Sequence, residues 1–153
     1  MWVPAFACLA CRATVPDVPG VCATCGARYA IRDGILRFAS DERLSEFAAF
    51  LTQYLAVRHA DGHVPGTADE YRALPRVSRS HPAAVEWRIR RRSLETLQRL
   101  SLGTARPMRV LDLGAGNGWL SHQIARRGHD AVAVDLNDDA GDGLAACRAY
   151  AAP

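Results

Sequence analysis

The sequence predicts an α/β chain in which a small cysteine-bearing segment and a helical region precede the opening β-α-β unit of a parallel sheet. Three observations carry this reading. Two Cys-x2-Cys pairs lie close together near the start. Apolar residues then recur at three- and four-residue steps. Finally, a β-favouring run ending at Asp112 and Leu113 meets three alternate glycines, and a second such run ends at Asp135.

The totals set the class. Of 153 residues, 49% are hydrophobic and 23% charged, which describes a core-forming chain rather than a disordered one. Aromatics are only 7%, so cores must be built mainly from Ala, Val and Leu. The net charge of +3 tolerates a polyanionic partner without requiring one. No run approaches the roughly 20 apolar residues of a membrane helix, so no membrane association is expected. The apolar opening from Met1 to Ala7 lacks the basic start of a signal peptide and runs into Cys8 and Cys11. A cytoplasmic chain is expected, where paired cysteines bind metal more often than they form disulfides.

Residues 1–38 read as a compact metal-binding unit. Cys8-x2-Cys11 and Cys22-x2-Cys25 are separated by ten residues, and each pair is short enough to hold one metal from a tight turn. Gly26 follows the second pair, where backbone amides must fold over the sulfurs. Four thiolates in a closed shell suit a structural, tetrahedral Zn²⁺. So small a segment would draw much of its folding energy from the metal. Two disulfides, four free thiols and an iron–sulfur centre are the competing readings. Tyr29 to Phe38 reads as a hairpin turning at Asp33-Gly34, a pair that accepts positive φ angles. Cys147, alone in an Ala-rich stretch, reads as a small packing residue. His59 and His63 have the spacing of one helical turn, but Gly62 and Pro65 break that helix and neither is expected to bind metal.

The two Cys-x2-Cys pairs, with Tyr29-Ala30-Ile31-Arg32-Asp33-Gly34-Ile35, resemble the small zinc-ribbon proteins that activate methyltransferases. Ala30 and Leu36 stand where that family tends to have prolines. The resemblance implies a zinc ribbon held by Cys8, Cys11, Cys22 and Cys25, over about a quarter of the chain.

Residues 39–82 read as a helical insert and linker. Leu44, Phe47, Ala48, Leu51 and Leu55 predict one helix with one buried face. Ser40 caps it, with Arg43 where a capping box would place Glu. From His59 to Pro82, Gly62, Pro65, Gly66, Pro75 and Pro82 predict a linker with a short helix around Asp69 to Leu74. A third helix runs from Pro82 or Ala83 to about Leu100, with Ile89, Leu97 and Leu100 on one face and Gly103 at its exit. Its run from Arg88 to Arg92 reads as a solvated face or, alternatively, as a contact for RNA phosphates or an anionic substrate. Trp87 beside it covers a site or joins the core. Tyr54 and Tyr71 read as packing residues.

Residues 83–153 carry the sheet. Arg109 to Leu113 reads as a buried strand, followed by a glycine turn, a helix from Trp119 to Arg127 closed by Gly128, and a strand from Ala131 to Val134. That order implies parallel strands and a right-handed crossover. Glycines at 114, 116 and 118 let the backbone turn sharply and admit a ligand with no Cβ atoms in the way. Asp135, ending the second strand, suits a ribose diol because a carboxylate accepts two hydrogen bonds. A nicotinamide fingerprint needs a third glycine at residue 119, which is Trp119, and a phosphate-binding P-loop needs an ending that is absent. Asp135 to Asp139 fails as a calcium loop, with Ala140 and Ala146 where Gly and Glu are required, and reads as a solvated acidic loop.

The alternate-glycine pattern resembles motif I of class I S-adenosylmethionine-dependent methyltransferases, whose Asp-x-Gly-x-Gly-x-Gly is matched by Asp112, Gly114, Gly116 and Gly118. The resemblance implies the start of a Rossmann-like methyltransferase sheet with S-adenosylmethionine as cofactor. It implies that the three glycines line the methionine and ribose portion and that Asp112 orients the amino end. Asp135 would hold the ribose hydroxyls and Leu136 would flank adenine. It also implies five further strands, whereas 44 residues follow Arg109, so the domain is expected to stop before its catalytic half. No catalytic residue is identifiable.

The expected function is methyl transfer to an acceptor that is a small molecule, RNA or protein, a choice the fold does not make. Two alternatives stand beside it. One is a non-catalytic zinc-ribbon module that binds or activates a complete methyltransferase. The other is an RNA-binding zinc protein. Two parallel strands with one helix leave an open edge and a bare face, so a protein partner that completes the domain is a further expectation.

Overall fold

The computed structural model describes residues 5–15, 20–103 and 106–151; Met1 to Pro4 of the apolar opening lie outside them. The chain divides into two compact units, Met1–Phe50 and Leu51–Pro153. Among the described residues no helix is long and apolar enough to cross a membrane.

The first unit is made of short antiparallel pairs. Strand β1 (Phe6–Ala7) pairs with β2 (Thr14–Val15), and β3 (Gly20–Val21) with β4 (Arg28–Arg32), which also pairs with β5 (Ile35–Arg37). Between β4 and β5 the turn residues Asp33 and Gly34 both have positive φ, 53° and 78°. A two-residue turn of that kind matches the twist of its strands, so the Asp-Gly pair sets the hairpin locally. The core is Cys8, Val15, Cys22 and Tyr29, with the Phe38 ring 4.6 Å from Phe6 and 4.8 Å from Tyr29.

In place of the single helix predicted from Ser40, two form: α1 (Asp41–Ser45) and α2 (Ala48–Ala60). Ser40 does cap α1, its Oγ accepting the Arg43 N–H at 3.1 Å. Leu44, Phe47, Leu51 and Leu55 are covered only in part, and neither helix has a fully buried residue. The periodicity therefore marks a half-covered stripe rather than a core face.

In the second unit, α3 (Ala68–Ala73) opens on a complete capping box that the linker reading passes over. Thr67 Oγ1 accepts the Glu70 N–H, and the Glu70 carboxylate accepts the Thr67 N–H. The stretch expected to be linker supplies core: Tyr71 and Leu74 pack with Ala83, Trp87 and Ala146. Helix α4 (Ala84–Leu97) runs into a π-helical turn (Gln98–Leu102) and buries Trp87 and Leu94, not the expected face. Ile89 is exposed and Leu100 is 79% exposed. Trp87, 1% exposed, joins the core by packing edge-to-face on Trp119 at 5.6 Å.

Strands β6 (Arg109–Leu113) and β7 (Asp130–Val134) are parallel, with Leu111 opposite Val132, and α5 (Trp119–Ala125) connects them. The expected buried strand is not buried. Alternation puts Val110 and Asp112 on the side of α5, half-buried, while Leu111 and Leu113 are 54% and 72% exposed on the other side. Val134, opposite Leu113 in register, is exposed as well. One face is packed and one is open, where parallel sheets are ordinarily covered on both. After β7 the chain passes through residues 137–143 into a 3-10 segment (Leu144–Tyr150) that packs with α3.

Candidate functional site

The two Cys-x2-Cys segments fold as the same turn made twice. Cys8 N–H donates to Ala13 O and Arg12 N–H to Cys8 O; Cys22 N–H donates to Ala27 O and Gly26 N–H to Cys22 O, each at 2.8 Å. The residue after each second cysteine is left-handed, Arg12 at φ 66° and Gly26 at φ 75°. Glycine adopts this freely, whereas Arg12 adopts it at a cost of about 1–2 kcal/mol.

These turns bring the four thiols together. Every Sγ lies within 4.8 Å of the others, with Cys8 and Cys25 at 3.5 Å and Cys11 and Cys22 at 3.6 Å. A disulfide requires about 2.05 Å, and all four cysteines are free. A tetrahedral zinc with Zn–S of about 2.3 Å has sulfurs about 3.8 Å apart. The donor set and its spacing therefore fit a four-coordinate Zn²⁺ ion. Among the described residues this is the one cluster of three or more metal-ligating side chains, and His59 and His63 take no part in it. His63 is instead buried, and that burial depresses its pKa.

Tyr29 completes the site. Its buried hydroxyl accepts the Leu9 N–H (2.9 Å) and donates to Cys8 Sγ (3.1 Å). That bond, followed by the Cys11 backbone, holds the Cys8 thiol down at about 6, which favours the thiolate a metal needs. Tyr29 opens the stretch that carries the zinc-ribbon resemblance, but sequence reasoning read it only as the start of the hairpin and gave it no role at the metal. Tyr29→Phe keeps the ring against Phe38 and removes only the hydroxyl. It is expected to weaken zinc binding about 10–100-fold, measured by competition with a chromogenic chelator. Unchanged affinity would exclude the hydroxyl from the site.

The glycine turn is the second cluster. Gly114, Gly116 and Gly118 all have positive φ, at 73°, 54° and 73°. The N–H groups of Gly114 and Ala115 both donate to Val134 O (2.8 and 3.1 Å), which clamps the turn to the end of β7. Asp135, the next residue, accepts the Gly116 N–H at 2.7 Å with one carboxylate oxygen and the Asn137 N–H at 2.8 Å with the other. Each oxygen keeps a second lone pair. On the other strand, Asp112 accepts the Ser121 hydroxyl from the first turn of α5 at 2.8 Å. Asp112, the glycines and Asp135 are thus gathered at the carboxyl ends of both strands, with Leu136 exposed beside them.

The three glycines are not equivalent. A Cβ on Gly114 would meet open space, and one on Gly116 would have only Asp142 O near, at 3.7 Å. At Gly118 it would meet Cys147 Sγ, and the left-handed φ of 73° also disfavours a side chain, so both the turn and the thiol packed on it favour glycine there. Cys147 lies over the turn, its thiol 3.7 Å from Asn117 O and its pKa raised by burial and then by Asp112. Trp119, at the position where a dinucleotide motif needs glycine, is partly buried and packs against the core residue Trp87.

The acidic loop is folded rather than solvated. Asn137 and Asp142 are buried, and Asp139 Oδ1 accepts the N–H groups of Gly141 (2.7 Å) and Asp142 (3.0 Å). Arg58 on α2 grips Asp142 with two hydrogen bonds, at 2.5 and 3.1 Å. The Tyr71 hydroxyl donates to Gly141 O.

Residues 85–146 match the family model described as a methyltransferase domain. No curated protein and no solved structure matches the chain. The matched span runs from α4 through the glycine turn and both strands to the 3-10 segment, and so contains Asp112, Gly114, Gly116, Gly118, Asp135 and Leu136. The match supports a methyltransferase domain in the second unit, and the cysteine cluster of the first is compatible with zinc.

Proposed function

We propose that the chain serves an S-adenosylmethionine-dependent methyltransferase as its cofactor-binding part, the second unit holding the cofactor at the glycine turn and the first unit forming a structural zinc ribbon. The single observation that carries this is the bond from the Gly116 N–H to Asp135. It ties an open glycine backbone to a carboxylate whose remaining lone pairs suit a ribose diol. Gly114 and Gly116 give the cofactor backbone to lie on, with Gly118 shaping the turn. Asp112, steadied by Ser121, orients the amino end, and Leu136 offers an exposed apolar side chain to adenine. When bound, the cofactor supplies an electrophilic methyl group. The acceptor is a small molecule, an RNA or a protein, and the site is cytoplasmic.

Calorimetry should show binding of S-adenosylmethionine and none of NAD, because Trp119 fills the place where dinucleotide binding needs a glycine. Asp135→Ala is expected to weaken cofactor binding by about 1–3 kcal/mol through lost charged hydrogen bonds. Since Asp135 also braces the turn, Asp135→Asn serves as the gentler variant, with its fold checked by circular dichroism. Tight NAD binding, or full affinity in both variants, would overturn the assignment.

A second reading, in which the chain binds or activates a complete methyltransferase, is favoured by the open sheet face of Leu111, Leu113 and Val134. Such a partner would bury this face. Light scattering with and without a candidate methyltransferase separates the two readings.

A further inference from the structure

A cavity of about 670 Å³ lies between α3, α4 and the C-terminal end of α5. It is within the size range of ligand sites. Arg72, Arg76, Arg91, Arg126 and Arg127 line it, against one carboxylate, Glu95. Five positive charges facing one negative charge exceed the +3 carried by the whole chain. The 19 Lys-plus-Arg side chains of the protein are all arginine, the side chain whose planar fork matches phosphate oxygens two at a time.

Two of the five are engaged with carboxylates. Arg91 pairs with Glu95 at 3.4 Å, and Arg72 with the exposed Asp69 at 3.1 Å. Arg76, Arg126 and Arg127 have no carboxylate partner among the described residues. Arg127 is nevertheless fixed. It donates to the Gln123 side chain (3.1 Å) and backbone carbonyl, and the buried Gln123 donates in turn to Leu74 O at 2.8 Å. A guanidinium anchored through a buried amide pays little ordering entropy when an anion arrives. Desolvation, then the charges of Arg126 and Arg76, lower the Arg127 pKa, so its surroundings are short of negative charge.

We propose that this cavity binds adjacent phosphate groups of a polyphosphate or nucleic-acid backbone. The site is separate from the cofactor cradle: the glycine turn leads into α5, and Arg126 and Arg127 follow its other end, about 10 Å away along a helix of seven residues. It also differs from the Arg88–Arg92 run. Of that run only Arg91 reaches the cavity, while Arg90 lies over the Trp87 ring at 4.5 Å.

Titration of the full chain with tripolyphosphate at about 0.15 M salt, where charges more than about 8 Å apart are largely screened, should give saturable binding. Arg76→Ala/Arg126→Ala is expected to weaken it about tenfold or more, because both side chains offer bidentate contacts. Arg88→Ala/Arg92→Ala, which removes the same charge elsewhere, is expected to change it less than about twofold. In the unaltered chain, tripolyphosphate should protect Arg76 and Arg126 from phenylglyoxal while Arg88 stays reactive, a readout that needs no variant. Displacement of tripolyphosphate by a single-stranded oligoribonucleotide would assign the phosphates to a nucleic acid; failure to displace would assign them to a small anion, and the site stands in either case. No saturable binding, equal losses in both double variants, or equal protection of Arg76, Arg126 and Arg88 would overturn it.

Discussion

Replacing Cys22 with serine is expected to release the metal and unfold the first unit, the largest effect any single substitution should have there. Cys8, Val15, Cys22 and Tyr29 make up its buried core, and two of those four are thiols of the cluster itself. Burying Val15 and Tyr29 contributes roughly 1.5–3 kcal/mol each. Ordering the backbone costs roughly 1–2 kcal/mol for every residue fixed. Strands of two to five residues cannot close that gap. A structural zinc site contributes on the order of 10 kcal/mol or more, and in such domains that binding energy is the folding energy. Metal analysis should fall from about one zinc per chain to a small fraction. Amide signals of residues 5–15 and 20–38 should lose their dispersion, and a strong chelator should do the same to the unaltered protein. A Cys22→Ser chain that keeps one zinc and a dispersed spectrum would show that the cluster does not hold the metal.

The second large effect is expected at Arg58 and Asp142. The carboxylate is 1% exposed and the guanidinium meets it with two hydrogen bonds. Removing one member of a buried pair strands the other charge, which typically costs about 3–5 kcal/mol. Set against a total stability of about 5–15 kcal/mol for a domain, Asp142→Ala should lower the urea midpoint sharply or prevent folding. Because an unfolded variant says little about cause, the double change Arg58→Met/Asp142→Leu is the decisive comparison. It removes both charges and is expected to recover most of the loss. If Asp142→Ala costs no more than breaking the exposed Arg43–Glu46 pair, the buried pair is not what secures the loop. The consequence reaches the candidate cofactor site, since Asp142 O is the nearest atom to the open side of Gly116 and Asn137 Nδ2 donates to that same oxygen.

The range of each interaction sets how much of the site is legible in the sequence. The two cysteine turns and the Asp33-Gly34 hairpin are built within a few residues of themselves, and so was the order of strand, glycine turn, helix and strand. The partners that steady those elements are distant. Tyr29 reaches Cys8 across 21 positions, Gln123 reaches Leu74 across 49 and Arg58 reaches Asp142 across 84. Nothing in the local pattern around any of them marks the pairing.

Burial was the least legible property, because periodicity says which side chains share a face but not what lies against it. Ile89, Leu97 and Leu100 do repeat with the helix, yet α4 turns Trp87 and Leu94 inward because Trp119, at the start of α5, meets Trp87 edge-on. The run from Arg109 to Leu113 alternates as a strand should, but its Leu111 and Leu113 stand open. The Gly- and Pro-marked stretch from His59 to Pro82 reads as linker, while its Tyr71 and Leu74 sit in the core beside Ala146. Local chemistry, then, determined the turns, the cysteine cluster and the glycine motif, since each depends on the φ angles and donor atoms of neighbouring residues. Which faces are covered, which charges are paired and where five arginines converge was decided only by tertiary structure, because each depends on side chains brought together from separate elements.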